Sequence, residues 1–181
     1  MSPTERYEEF SVAMTETLDS ELAAHLNRGP NQEDLLFGYW VPSRGRRRLT
    51  ALLTGVQHPA TDERHLHGNV AFESSYLRRV LEEAPIGVGI AFIHSHLTEG
   101  WQGMSDDDII AERDRIASPA FGRTRLPLVG LTWGRAGFWS GRFWLRPGPF
   151  RFVRRETETV RVVGEGLRVS RHTKQGPTPA E

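Results

Sequence analysis

The sequence predicts an α+β fold, a single domain with a curved, mostly antiparallel sheet flanked by helices. Short runs rich in Leu, Val, Phe and Trp recur along the chain, punctuated by Gly and Pro, as strands are. Apolar residues at helical spacing appear in three places only. The last third reads as strand after strand, aromatic and broken by glycine.

Taken in order, Val12, Leu18, Leu22, Ala23 and Leu26 suggest a first helix that stops at Asn27-Arg28-Gly29-Pro30. Leu35 to Val41 reads as a strand, Pro42 to Gly45 as a turn, and Leu49 to Leu53 as a second strand. Pro59 to Gly68 reads as an irregular loop. Ser74 or Ser75 is placed to cap a helix through Tyr76, Leu77, Val80 and Leu81, ending before Pro85. The strand Val88 to Ile93 follows, then a helix through Asp107, Ile109, Ile110, Arg113 and Ile116, then a connecting loop from Pro119 to Arg125. Strands are expected at 126–133, 137–145, 150–154 and 159–163. The domain is expected over residues 10–165, after an N-terminal extension at 1–9. Residues 166–181, ending TKQGPTPAE, have the composition of a flexible tail.

At 181 residues the chain suits one domain with its own hydrophobic core and is short for two. Lys plus Arg equals Asp plus Glu at 23 each, so no overall field attracts nucleic acid or an anionic membrane. Arg142, Arg146, Arg151, Arg154, Arg155 and Arg161 crowd the C-terminal third and are expected on a solvated sheet face. Cysteine is absent, so any metal must be held by His, Asp or Glu. The N-terminus has neither the charge nor the apolar stretch of a signal peptide, and no apolar run approaches a membrane span. A soluble, cytoplasmic protein is expected.

The chemistry is concentrated in one stretch. The apolar run Ile90 to Ile93 leads into His94-Ser95-His96, and Ser105-Asp106-Asp107-Asp108 follows after a spacer of eight residues. Side chains at i and i+2 on a strand share a face, so both imidazoles can converge on one point. Asp108 supplies a third ligand, and two His with one carboxylate and an open position make a catalytic rather than a structural zinc site. Ser105 three residues before an acid also has the form of a capping box, and the two roles are compatible. Ser95 is expected to face the other side of the strand. A second H-x-H, His65 and His67, has no acid at matching spacing and reads as a surface or loop feature.

The order of these residues resembles the JAB/MPN family, also called JAMM metalloproteases. Their pattern is an upstream glutamate, then H-[ST]-H, then S-x-x-D. Here the centre reads HSHLTEGWQGMSDDD, and the upstream acid is Glu33 in NQEDLLFGYW. The spacer is one residue longer than usual in the family, and Leu97 stands where proline is common. The resemblance implies the fold already expected and zinc held by His94, His96 and Asp108. It makes Glu33 the general base and acid beside the attacking water, with Asp34 as the alternative. It makes Ser105 the donor to the developing oxyanion. Zinc lowers the pKa of its water from about 15.7 to roughly 7. Trp101, flanked by Gly100 and Gly103, is a candidate wall for the substrate channel or a core plug.

Members of the family cut after the C-terminal glycine of ubiquitin or ubiquitin-like proteins. HGNVAFESSYLRRVLEEA is similar to bacterial members found with ubiquitin-activating-like and ubiquitin-conjugating-like enzymes, several of them in antiphage defence. The expected function is therefore a zinc isopeptidase acting on a bacterial ubiquitin-like protein or its conjugates. Two alternatives stand beside it. One is a non-catalytic MPN scaffold. The other is a RadC-like protein of DNA metabolism, whose H-N-H and Pro-Ser-Gly this chain lacks.

Overall fold

Phe10, Val12 and Met14, with exposures of 3, 0 and 3%, share one buried face of a strand over residues 9–15, where no helix forms. The computed structural model describes residues 7–27, 29, 31–67, 69–97, 104–149, 151–173 and 176–179. The strand β1 (Glu9–Thr15) leads directly into helix α1 (Glu16–Leu26), whose N-cap is Thr15. Val12 thus leaves the expected helix, since a spacing of six from Val12 to Leu18 does not return to one helical face. Leu18, Leu22 and Leu26 keep the helical spacing and are buried.

The hairpin of β2 (Leu35–Arg44) and β3 (Arg48–Gln57) is longer than expected and turns at Gly45, whose N–H donates to Arg48 O at 2.9 Å. Pro42 lies inside β2 instead of the turn. The next strand, β6 (Gly89–His96), pairs β2 only as far as Trp40, so the missing N–H of Pro42 falls on an unpaired edge. Arg64–His67 (β4) and Asn69–Phe72 (β5) form a two-stranded hairpin where a loop was expected. Helix α2 (Ser74–Glu83) follows, capped at Glu73 without a side-chain hydrogen bond.

After β6, α3 (Asp106–Ile110), a π-helical segment (Ala111–Ile116) and α4 (Ala117–Thr124) run without a break. The expected loop at Pro119 is therefore helical. Proline withholds one helical N–H, and the π-helical register lies directly upstream of it. Four strands complete the expected series: β7 (Leu128–Gly134), β8 (Phe138–Gly148), β9 (Arg151–Glu156) and β10 (Thr159–Val163). Residues placed in the tail by composition form β11 (Leu167–Thr173) and β12 (Gly176–Pro179).

Ten strands make one sheet in the order β12-β11-β10-β1-β3-β2-β6-β7-β8-β9. Among the described residues only the β1–β10, β1–β3 and β6–β7 pairings are parallel, so the sheet is mostly antiparallel, as expected. It curls until β8 touches β1, β10, β11 and β12, and the N–H of Trp139 donates to Ser170 Oγ at 3.3 Å. The concave side buries Phe10, Val12, Trp40, Ile93 and Phe143, with α1 closing one end. The convex side buries Leu35, Phe37, Phe92 and Trp144 against α2 and α4. Burial of both faces explains why β6 is apolar along its whole length until the histidines. Among the described residues no helix is long and apolar enough to cross a membrane.

Candidate metal centre

The pleat of β6 sorts its residues between the two cores. Ala91 and Ile93 join the concave core, while Ile90 and Phe92 join the convex one. His94 and His96 continue the convex series and emerge beside α3. Their Nε2 atoms lie 3.0 Å apart. The carboxylate of Asp108 faces both, 3.6 Å from His94 Nε2 and 3.4 Å from His96 Nε2. One ligand atom from each residue falls within a 4.8 Å cluster. The longer spacer therefore does not keep Asp108 from the histidines. Ser95 points the other way, as expected, and its Oγ accepts the N–H of Asp34 at 3.0 Å.

Asp108 reaches this position through the start of α3. Ser105 Oγ accepts the N–H of Asp108 at 3.1 Å, and the N–H of Ser105 donates to Asp108 Oδ2 at 2.9 Å, a complete capping box. The Ser105 hydroxyl also donates to Asp108 Oδ2 at 2.8 Å. Burial pushes the Asp108 carboxyl up, but His96, His94 and the two Ser105 donors outweigh it and hold the group well below the usual carboxylate range. Burial and the Arg142 guanidinium push His94 down to about 3, against the pull of Asp108. A neutral imidazole keeps a ring lone pair for a cation. Two buried imidazole nitrogens and a deprotonated carboxylate, converging without cysteine, fit a divalent metal of the zinc type.

Glu33 lines the same cleft as His94, Asp107 and Asp108, a space of about 300 Å³ walled by Leu35, Phe72, Phe92 and Ile110. Burial raises its pKa, opposed by the nearby His96 and the Leu97 N–H and helped by Asp108. Asp34 lies elsewhere. It accepts the Leu35 N–H at 2.8 Å, pairs with Arg64, and faces His25 Nε2 at 3.5 Å from α1. Of the two acids, the cleft receives Glu33. Trp101 lies outside the described residues. His65 sits on β4 and pairs with Glu73.

Arg142 departs from expectation. It is 1% exposed rather than on a solvated face, bound to Glu112 of the π-helical segment and to Thr132 of β7. Neither Glu112 nor Thr132 stood out in the sequence. An arginine flanked by Trp139, Phe143 and Trp144 on one strand was the available signal of burial.

No family model matches this chain, and no curated protein matches it. Among solved structures, the solution structure of protein DSY2949 from Desulfitobacterium hafniense is 16% identical, over 94% of this chain and 90% of that one. Its TM-score of 0.32 is too low for the likeness to bear on fold or function.

Proposed function

We propose that this chain is a zinc-dependent peptidase of JAB/MPN type, cutting after the C-terminal glycine of a ubiquitin-like protein in precursors or conjugates. The observation that carries the reading is the convergence of His94 Nε2, His96 Nε2 and the Asp108 carboxylate, with Glu33 in the same cleft. Zinc held by these three residues supplies a Lewis acid that makes water nucleophilic near neutral pH. Everything else falls to the chain. Glu33, with its affinity for protons raised by burial, takes the proton of the attacking water and returns it to the departing amine. Ser105, hydrogen-bonded to the ligand Asp108, turns its hydroxyl from that carboxylate to the developing oxyanion. The apolar wall of Leu35, Phe72, Phe92 and Ile110 excludes water beside the scissile bond.

A glycine-ended tail suits a narrow approach to such a cleft, because glycine carries no side chain to clash. On this reading the partners are a ubiquitin-like protein with its activating-like and conjugating-like enzymes, in the bacterial cytoplasm and in antiphage defence. The test pairs elemental analysis of the purified protein with cleavage of a ubiquitin-like protein fused through its C-terminal glycine to a reporter. One equivalent of zinc and release of the reporter are expected. A zinc-loaded protein that cleaves no such fusion points instead to a non-catalytic partner-binding module.

A further inference from the structure

The cleft beside the metal centre is charged unevenly. Asp108 faces the histidines, Asp107 precedes it in the chain, and Glu33 feels the charge of His96. Arg115, on the π-helical segment, is the one arginine or lysine lining the cleft among the described residues. Asp107, Ala111 and Arg115 recur every four residues, so one face of the continuous helix is turned to the cleft. The other charges of the segment are already engaged. Glu112 is buried against Arg142, and Arg113 Nε and Nη2 donate to the Asp114 carboxylate at 2.6 and 2.8 Å. Arg115 is exposed and has no hydrogen-bond or ion-pair partner among the described residues.

The helix sets the distance between this cation and the reacting end of the cleft. Asp108 and Arg115 are seven residues apart, which at helical rise separates them by roughly 10 Å along the segment. An extended peptide covers that length in about three residues. The space between is apolar. Ile110 is 42% exposed while lining the same cleft as Phe72 and Phe92, so an apolar side chain of a bound peptide is buried there. A guanidinium has donors only, in a planar fork that matches a carboxylate. A tail with its last glycine at the metal therefore meets Arg115 through a side chain a few residues upstream. A carboxylate at that position gains a partner, and an arginine there meets its own charge.

We propose that Arg115 selects the substrate tail: the ubiquitin-like protein carries an acidic residue about three positions before its terminal glycine, with an apolar residue between the two. This rests on the peptidase reading above. The probe is ubiquitin with a rewritten tail, joined through its C-terminal glycine to a reporter. Glu, Gln or Arg is placed in turn at the second, third and fourth positions before that glycine. Each fusion is assayed with the wild type and with Arg115→Glu, whose exposed position leaves fold and zinc content unchanged. The wild type is expected to favour the best-placed Glu tail over the matching Arg tail by roughly 10-fold in kcat/KM, with Gln between them. Arg115→Glu is expected to reverse that order. The preference should shrink in high salt, which screens an exposed ion pair. Equal cleavage of Glu and Arg tails by the wild type, or the same order in Arg115→Glu, overturns the inference and leaves the peptidase reading standing. A zinc-loaded wild type that cleaves none of the fusions overturns the peptidase reading, and this inference with it.

Discussion

His94 and His96 meet on one side of β6 with their Nε2 atoms 3.0 Å apart, while Ser95 between them binds the backbone of Asp34 on the other side. The strand's two-residue period produces both relationships at once. It also makes the register of the third ligand testable. Asp108→Ala and the double variant His94→Ala, His96→Ala are expected to lose bound zinc, whereas Asp107→Ala keeps it. Elemental analysis after gel filtration decides. Zinc lost in Asp107→Ala and kept in Asp108→Ala would shift the ligand by one residue.

Glu33 enters the cleft without belonging to the three-residue cluster. Glu33→Gln is therefore expected to keep zinc and melting temperature while losing roughly a hundred- to ten-thousand-fold in turnover. Metal content and kcat measured on the same preparation check this. Loss of zinc in that variant would make Glu33 a ligand or support.

Gly89 lies under the indole of Trp40, where a Cβ would stand 2.3 Å from the ring. Trp40 is fully buried and its Nε1 donates to Ile90 O at 3.1 Å, so a shift of the ring strains that hydrogen bond. Gly89→Ala is expected to destabilise the fold by about 1–3 kcal/mol through overpacking. Urea denaturation gives the value, and an unchanged midpoint would mean that the indole relocates at no cost.

Glu63 ties the segment before β4 to α2, accepting from Arg79 Nε at 2.9 Å and from the Ala60 N–H at 2.8 Å. The Arg79 hydrogen bonds lower its pKa, against burial, with help from the Ala60 N–H. A carboxyl depressed in the folded state stabilises above its unfolded pKa and loses that contribution as pH falls through the folded value. Glu63→Gln is expected to cost about 1–2 kcal/mol at neutral pH. The gap to wild type should close as pH falls below the ordinary glutamate range. A gap independent of pH would assign the effect to packing.

Much of the site was legible because it is local. His94, His96, Ser105 and Asp108 lie within one short stretch, and strand period and capping chemistry act over a few residues. Glu33 needed the resemblance, since nothing in its own segment distinguishes it from Asp34. Most strands from Leu35 to Val163 were visible as apolar runs, but β1 was not, because Val12 was read into the spacing of α1. The Glu112–Arg142–Thr132 chain was invisible for a different reason. Its members come from the π-helical segment, β8 and β7, and only the folded sheet makes them neighbours. The aromatic residues around Arg142 hinted at burial, yet named no partner.

The place of β1, hydrogen-bonded in parallel to both β3 and β10, sets the order in which this chain can be completed. Ser11 waits for Thr159. On the ribosome β1 emerges well before β10, and the edge it shares with β10 stays open until residues 159–163 have been made. Contacts of such sequence separation slow folding, and an unpaired edge in the interval invites association with other nascent chains. Synthesis of this protein therefore carries a vulnerable period whose length is set by translation speed, and slower elongation between β3 and β10 lengthens it.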